Sequence, residues 1–163
     1  MNEKQEAMLT AYREICRSYH AIADFRAKLL GLLPLASGTG VFLLAGNQIE
    51  QPILVVAGLF GFVVTLGLYC YELRGIQRCH GLIMAGKRLE EDLGVKAQFA
   101  LRPRPVSGFI GSTLAAQIIY PTVLAAWMFV ALLPVGVGVA VLVSGLVFVA
   151  AFVWSRRLDL ADV

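Results

Sequence analysis

Charge is what this sequence lacks most. Only 15% of its 163 residues are Asp, Glu, Lys or Arg, against 58% hydrophobic, where a soluble domain carries about a quarter charged. The shortage is also localised. Between Lys28 and Glu72 the one charged residue is Glu50, and between Arg104 and Arg156 there is none. Cysteine is scarce too: Cys16, Cys70 and Cys79 form no C-x-x-C pair. These shortages exclude a soluble enzyme domain, a disordered chain and a secreted disulfide scaffold. The sequence has no phosphate loop, dinucleotide fingerprint or nucleic-acid module, and its formal charge is only +3, so neither a cofactor nor a nucleic acid is expected. A lipid bilayer is the expected environment.

What is present is a set of apolar runs, each long enough to cross about 30 Å of hydrocarbon as a helix of roughly 20 residues. They cover Leu29 to Gly46, Ile53 to about Leu73, a third run that starts between Ile110 and Gln117 and ends near Leu133, and about Val135 to Trp154. None alternates with period two, so barrel strands are not expected. The reading is an all-α integral membrane protein with four transmembrane helices and cytoplasmic helical extensions of the first hairpin. Its parts are an amphipathic helix (1–28), a first hairpin (29–73), a cytoplasmic helix and linker (74–106), a second hairpin (107–154) and a tail (155–163). About 28 amphipathic residues precede the first run, so it is not expected to be a signal peptide. Lys and Arg fall in 1–28, 74–104 and the tail, and neither short turn carries one. The positive-inside rule then puts both termini and the middle loop in the cytoplasm of a multi-pass plasma-membrane protein.

Met8, Tyr12, Ile15, Tyr19, Ile22, Arg26 and Leu29 step by four and three, which places them on one helix face. Leu73, Ile76, His80 and Ile83 repeat the spacing after span two. Gly75, Gly81 and Gly86 are candidate breaks, each costing about 1 kcal/mol against Ala, and Gly94 is a helix stop. Arg102-Pro103-Arg104-Pro105 reads as a linker, with a short interfacial element around Phe99 and Leu101. The stripe Tyr12, Ile15, Tyr19 and Ile22 is the candidate oligomer surface, because the glycine-interrupted partner segment is too short to cover it.

The candidate boundary or pore residues are Asp24, Arg26, Arg74, Arg78 and Gln117. The first four sit at the inner membrane edge with Lys28 and Glu72. There they would anchor headgroups, with an Asp24–Arg pair across the hairpin, or ring a pore mouth that favours anions. Gln117, beside Pro121, needs a partner, a water or a cavity at membrane depth. The three cysteines are expected to be free thiols. A metal among Cys16, His20, Cys79 and His80 is disfavoured, because adjacent helix residues diverge. His20 and His80 are expected to be packed in the hairpin interface. Ala36-Ser37-Gly38-Thr39-Gly40 has no base at its depth to make Ser37 a nucleophile, so no enzyme is expected. Its small residues suit close helix approach: Ala36 and Gly40 against Ala57 and Gly61, with Gly111/Ala115 and Ala140/Ser144 offering the same in spans three and four.

Tyr71-Glu72-Leu73-Arg74-Gly75-Ile76-Gln77-Arg78-Cys79-His80 and Asp24-Phe25-Arg26-Ala27-Lys28-Leu29-Leu30 resemble a family of uncharacterised small bacterial membrane proteins. Over Tyr12 to Gly46 and Ile53 to Gly94, an amphipathic helix feeding a two-span hairpin is also similar in architecture to the SLATT membrane effectors. That resemblance implies membrane perforation and transfers no functional residue. The second pair of spans departs from the two-span pattern. The expected function is a homo-oligomeric pore-forming or channel-like protein. The alternative is a non-transporting scaffold whose cytoplasmic hairpin binds a partner protein.

Overall fold

The computed structural model describes the backbone of residues 3–45, 50–101 and 112–161, with side chains described except at 32–45, 112–113 and 158–161. Among the described residues there are no strands. Helices α1 (Glu3–Ala45) and α2 (Gln51–Leu93) have 43 residues each, about 65 Å at 1.5 Å per residue. Helix α3 (Ser112–Leu132) leads through a single 3-10 turn (Leu133–Val135) into α4 (Val137–Ala161). The fold is all-α.

Local chemistry sets the ends. Pro52 sits in the first turn of α2, where a missing N–H costs no intrahelical bond. Gly94 ends α2 in the left-handed region at φ 68°, and Val95 N–H donates to Glu90 O at 3.0 Å, which satisfies the terminal carbonyls. Between α3 and α4, Gly136 adopts φ 141°, a conformation open essentially to glycine.

Three helical segments are long and apolar enough to cross a membrane: Gln51–Leu93, Leu114–Val135 and Val137–Arg157. The first apolar run, Leu29 to Gly46, lies on α1, and most of its side chains fall outside the described ones. Helix α2 packs between α1 and α3, and α3 between α2 and α4.

The expected helical extension of span two is continuous, with no break at the candidate positions Gly75, Gly81 and Gly86. One buried stripe runs the length of α2 through Gly58, Gly61, Thr65, Tyr69, Glu72, Gly75, Cys79, Ile83, Gly86 and Glu90. The glycines on it are contact points. A Cβ at Gly58 would stand 2.5 Å from the Ala131 nitrogen of α3, one at Gly61 would collide with the Trp127 ring, and one at Gly86 with Phe99. Close packing thus offsets the helix-propensity cost. Gly61 therefore meets α3; the α1 patch expected to face it, Ala36 and Gly40, lies outside the described side chains. Ala140 and Ser144 are buried on α4.

Of the stripe expected after span two, Ile83 is buried as expected, and the rest is displaced by one residue. His80 is exposed and Leu73 and Ile76 are half-buried, while Glu72, Gly75 and Cys79 occupy the inner face. Tyr69 and Tyr120 stack at 5.3 Å, both fully buried. Leu30 of α1, Phe62 of α2, Leu124 of α3 and Ala151 of α4 converge on that pair.

Candidate functional site

The polar halves of α1 and α2 form an antiparallel arm, and two buried glutamates pin it together. At its base, Arg26 Nη2 and Nε reach Glu72 Oε1 at 2.6 and 2.8 Å. Glu72 is fully buried, and its second oxygen, Oε2, has no hydrogen-bond partner among the described residues. Gly75 leaves room for the arginine: a Cβ there would touch Arg26 Cδ at 3.4 Å. The expected Asp24–Arg pair is not formed. Asp24 instead pairs with Lys28 at 2.7 Å on the exposed side of α1. The reason is helix geometry, since Arg26 lies on the inward stripe with Ile22 and Leu29, and Asp24 does not.

At the far end, Glu90 is 1% exposed and sits in a cradle of donors. Tyr12 OH donates to Oε1 at 2.8 Å and Phe99 N–H to the same oxygen at 3.0 Å; Ala100 and Ala97 N–H donate to Oε2 at 2.8 and 3.3 Å. Burial raises the carboxyl pKa, but the bonds from Phe99, Tyr12, Ala100 and Ala97 outweigh it and hold the group below its ordinary value. Burial, together with the bond to Glu90, pushes the Tyr12 hydroxyl up, so it remains a donor.

This cradle folds residues 97–101 back onto the arm. Phe99, 2% exposed, packs edge-on against Tyr12 and Tyr19 at 5.9 and 5.7 Å. The stripe Tyr12, Ile15, Tyr19 and Ile22 is half-buried within the chain. Phe99 covers part of that stripe, at Tyr12 and Tyr19. The expected interfacial element is therefore divided: Phe99 enters the arm, and Leu101 is 67% exposed.

Arg74 and Arg78 are exposed, and among the described residues neither has an ion-pair partner. They line a cleft of about 390 Å³ between α1 and α2 with Phe25 and Tyr71, whose rings lie 5.3 Å apart. Gln117 is elsewhere, 3% exposed on the α3 core face one turn from Tyr120. The Tyr120 hydroxyl, Thr65 Oγ1 and Ser144 Oγ are buried without hydrogen-bond partners among the described residues. The cysteines are free. Cys16 Sγ accepts from Gln98 Nε2 at 3.1 Å, and His20 Nδ1 lies 2.7 Å from the Cys16 carbonyl. Cys79 is buried while its neighbour His80 is exposed, and His20 is exposed as well, so the histidines lie outside the hairpin interface.

Sequence reasoning placed Arg26, Arg74 and Arg78 at one boundary, and the structure brings them together. It missed Glu72, Glu90 and Phe99 as structural centres. Extending the three-four spacing from Gly58 and Gly61 along α2 would have reached both glutamates. Scans of protein-family models, of curated proteins and of solved structures return no match to this chain.

Proposed function

We propose that this chain is a non-catalytic membrane protein whose α1–α2 arm is a rigid platform for a protein partner on the cytoplasmic side. One observation carries the reading. Residues 3–28 extend α1 about 39 Å, and residues 74–93 extend α2 about 30 Å, past the apolar part, their apolar faces are taken up inside the arm, and the exposed faces carry Arg13, Glu14, Arg17, Lys87, Arg88 and Glu91. The Lys and Arg bias supports a cytoplasmic arm and termini in a four-span topology, with Leu29 to Gly46 as the first span. Cysteines at Asn47 and Gly136 should then react with an impermeant thiol reagent from outside, and those at Glu6, Gln98 and Asp162 should not; labelling of Gln98 from outside would end that topology. The platform itself is tested by photo-crosslinkers at Arg13 and Arg88 in intact membranes, with lipid-facing Val141 as the control. A product joining the arm to a different chain is expected. A product of twice the chain's own mass, or none from the arm, would overturn it.

A second reading, a homo-oligomeric pore, is favoured by the buried polar atoms of Thr65, Glu72 and Tyr120 that lack partners among the described residues, and by the architectural resemblance to SLATT effectors. Such an assembly would carry Arg74 and Arg78 at its mouth, and replacing both with Glu would move selectivity toward cations. Light scattering in detergent and bilayer conductance decide it: a monomeric, silent protein would sink the pore.

A further inference from the structure

We propose that the cleft between α1 and α2 is a binding site for the phosphate of an anionic phospholipid. The cleft lies where the apolar half of the hairpin gives way to the charged arm, with Phe25 and Tyr71 at its membrane end and Arg78 toward the arm. Of the charged residues at this boundary, Arg26 is neutralised by Glu72 and Lys28 by Asp24. Arg74 and Arg78 remain. They are one turn apart on α2, share a face, and leave two positive charges with no protein counterion among the described residues. Arginine presents planar donors that match a phosphate's oxygens. Phe25 and Tyr71, 45% and 51% exposed, suit the glycerol and upper acyl region. Above them, the exposed α2 face with Val63, Val64 and Phe60 offers an apolar wall for the chains. The volume, about 390 Å³, is within the range of small-ligand sites, about 300–1,000 Å³.

A lipid site fits better than free phosphate because the uncompensated charge comes from two side chains only: Arg26, the third arginine of the lining, is already paired with Glu72, and the rest is apolar or aromatic. The proposal is independent of the platform reading and competes with the pore reading for Arg74 and Arg78. An occupied cleft would hold Arg74 and Arg78 against lipid, whatever the arm binds.

The test is native mass spectrometry of the full chain in neutral detergent, titrated with phosphatidylglycerol or phosphatidylcholine. Phosphatidylglycerol should be retained preferentially. A basic side chain near anionic lipid contributes enough that losing two should weaken binding roughly 30-fold, so Arg74→Gln with Arg78→Gln should show that loss. Ala21→Trp, which fills the arm end of the cleft and leaves every charge in place, should also abolish the preference. Arg88→Gln, on the exposed arm outside the cleft, should bind as wild type. No preference between the two lipids would overturn the proposal. So would wild-type binding by either cleft variant, since a diffuse surface charge would be insensitive to Ala21→Trp. Displacement of the lipid by millimolar inorganic phosphate would reassign the cleft to the free anion and overturn the lipid site.

Discussion

Glu72 and Glu90 lie on the same buried stripe of the same helix, yet they are held in opposite ways. Glu90 accepts from one side chain and three main-chain N–H groups, so both of its oxygens are satisfied. Glu72 depends on one side chain, Arg26, which addresses one oxygen and leaves the other bare. Main-chain donors are present whatever side chains surround them. A single arginine is a point of failure. The arm end of α2 is therefore secured by backbone, and the middle of α2 by a charge pair in a poorly solvated place, where pairing only partly offsets desolvation.

The largest expected effect breaks the weaker of the two arrangements. Arg26→Met leaves the Glu72 carboxylate buried and unpaired and should cost about 3–5 kcal/mol, read as a fall in the thermal midpoint in detergent. Adding Glu72→Leu should recover most of it. A single variant as stable as wild type would show that Glu72 is solvated.

Glu90→Gln should cost less, about 1.5–3 kcal/mol, because it weakens charge-assisted bonds without stranding a charge. It should speed tryptic cleavage at the exposed Lys96. The pH dependence has a definite sign. The folded carboxyl titrates below its ordinary value, so its contribution is fully present above that ordinary value. It is lost only as pH falls through the lower folded pKa. Accelerated cleavage of the wild type already at neutral pH would contradict the cradle.

Glycines sharpen the comparison further. Gly58→Ala meets the backbone of Ala131 and should destabilise by about 1–3 kcal/mol. Gly81→Ala faces open space and should stabilise by about 0.5–1 kcal/mol through helix propensity. Equal shifts at the two positions would mean that α2 and α3 are not in close contact.

The helices, the Gly94 stop, the three-four stripe of α1 and the boundary arginines were legible because each rests on periodicity, charge sorting or backbone chemistry carried by neighbouring residues. The inner face of α2 was not. Seven of its ten residues are glycines, a threonine and two glutamates, types that hydrophobic patterning assigns to solvent or to turns. Their burial depends on Arg26 and Tyr12 of α1, on Trp127 and Ala131 of α3 and on residues 97–100 beyond the end of α2. Phe99 was misplaced for the same reason: its pocket exists only because Gly86 is bare.

The Arg26–Glu72 pair sits near the midpoint of both long helices: Glu72 is the central residue of α2, and Arg26 is two residues past the centre of α1. Each rod extends about 32 Å to either side of that point. The pair has the position of a fulcrum. A tilt of about 5° between unbroken rods of that length would move each end by about 3 Å, in opposite senses. A load on the tip of the arm that opened the Tyr12–Glu90 bond would therefore be delivered at the opposite end of the apolar half.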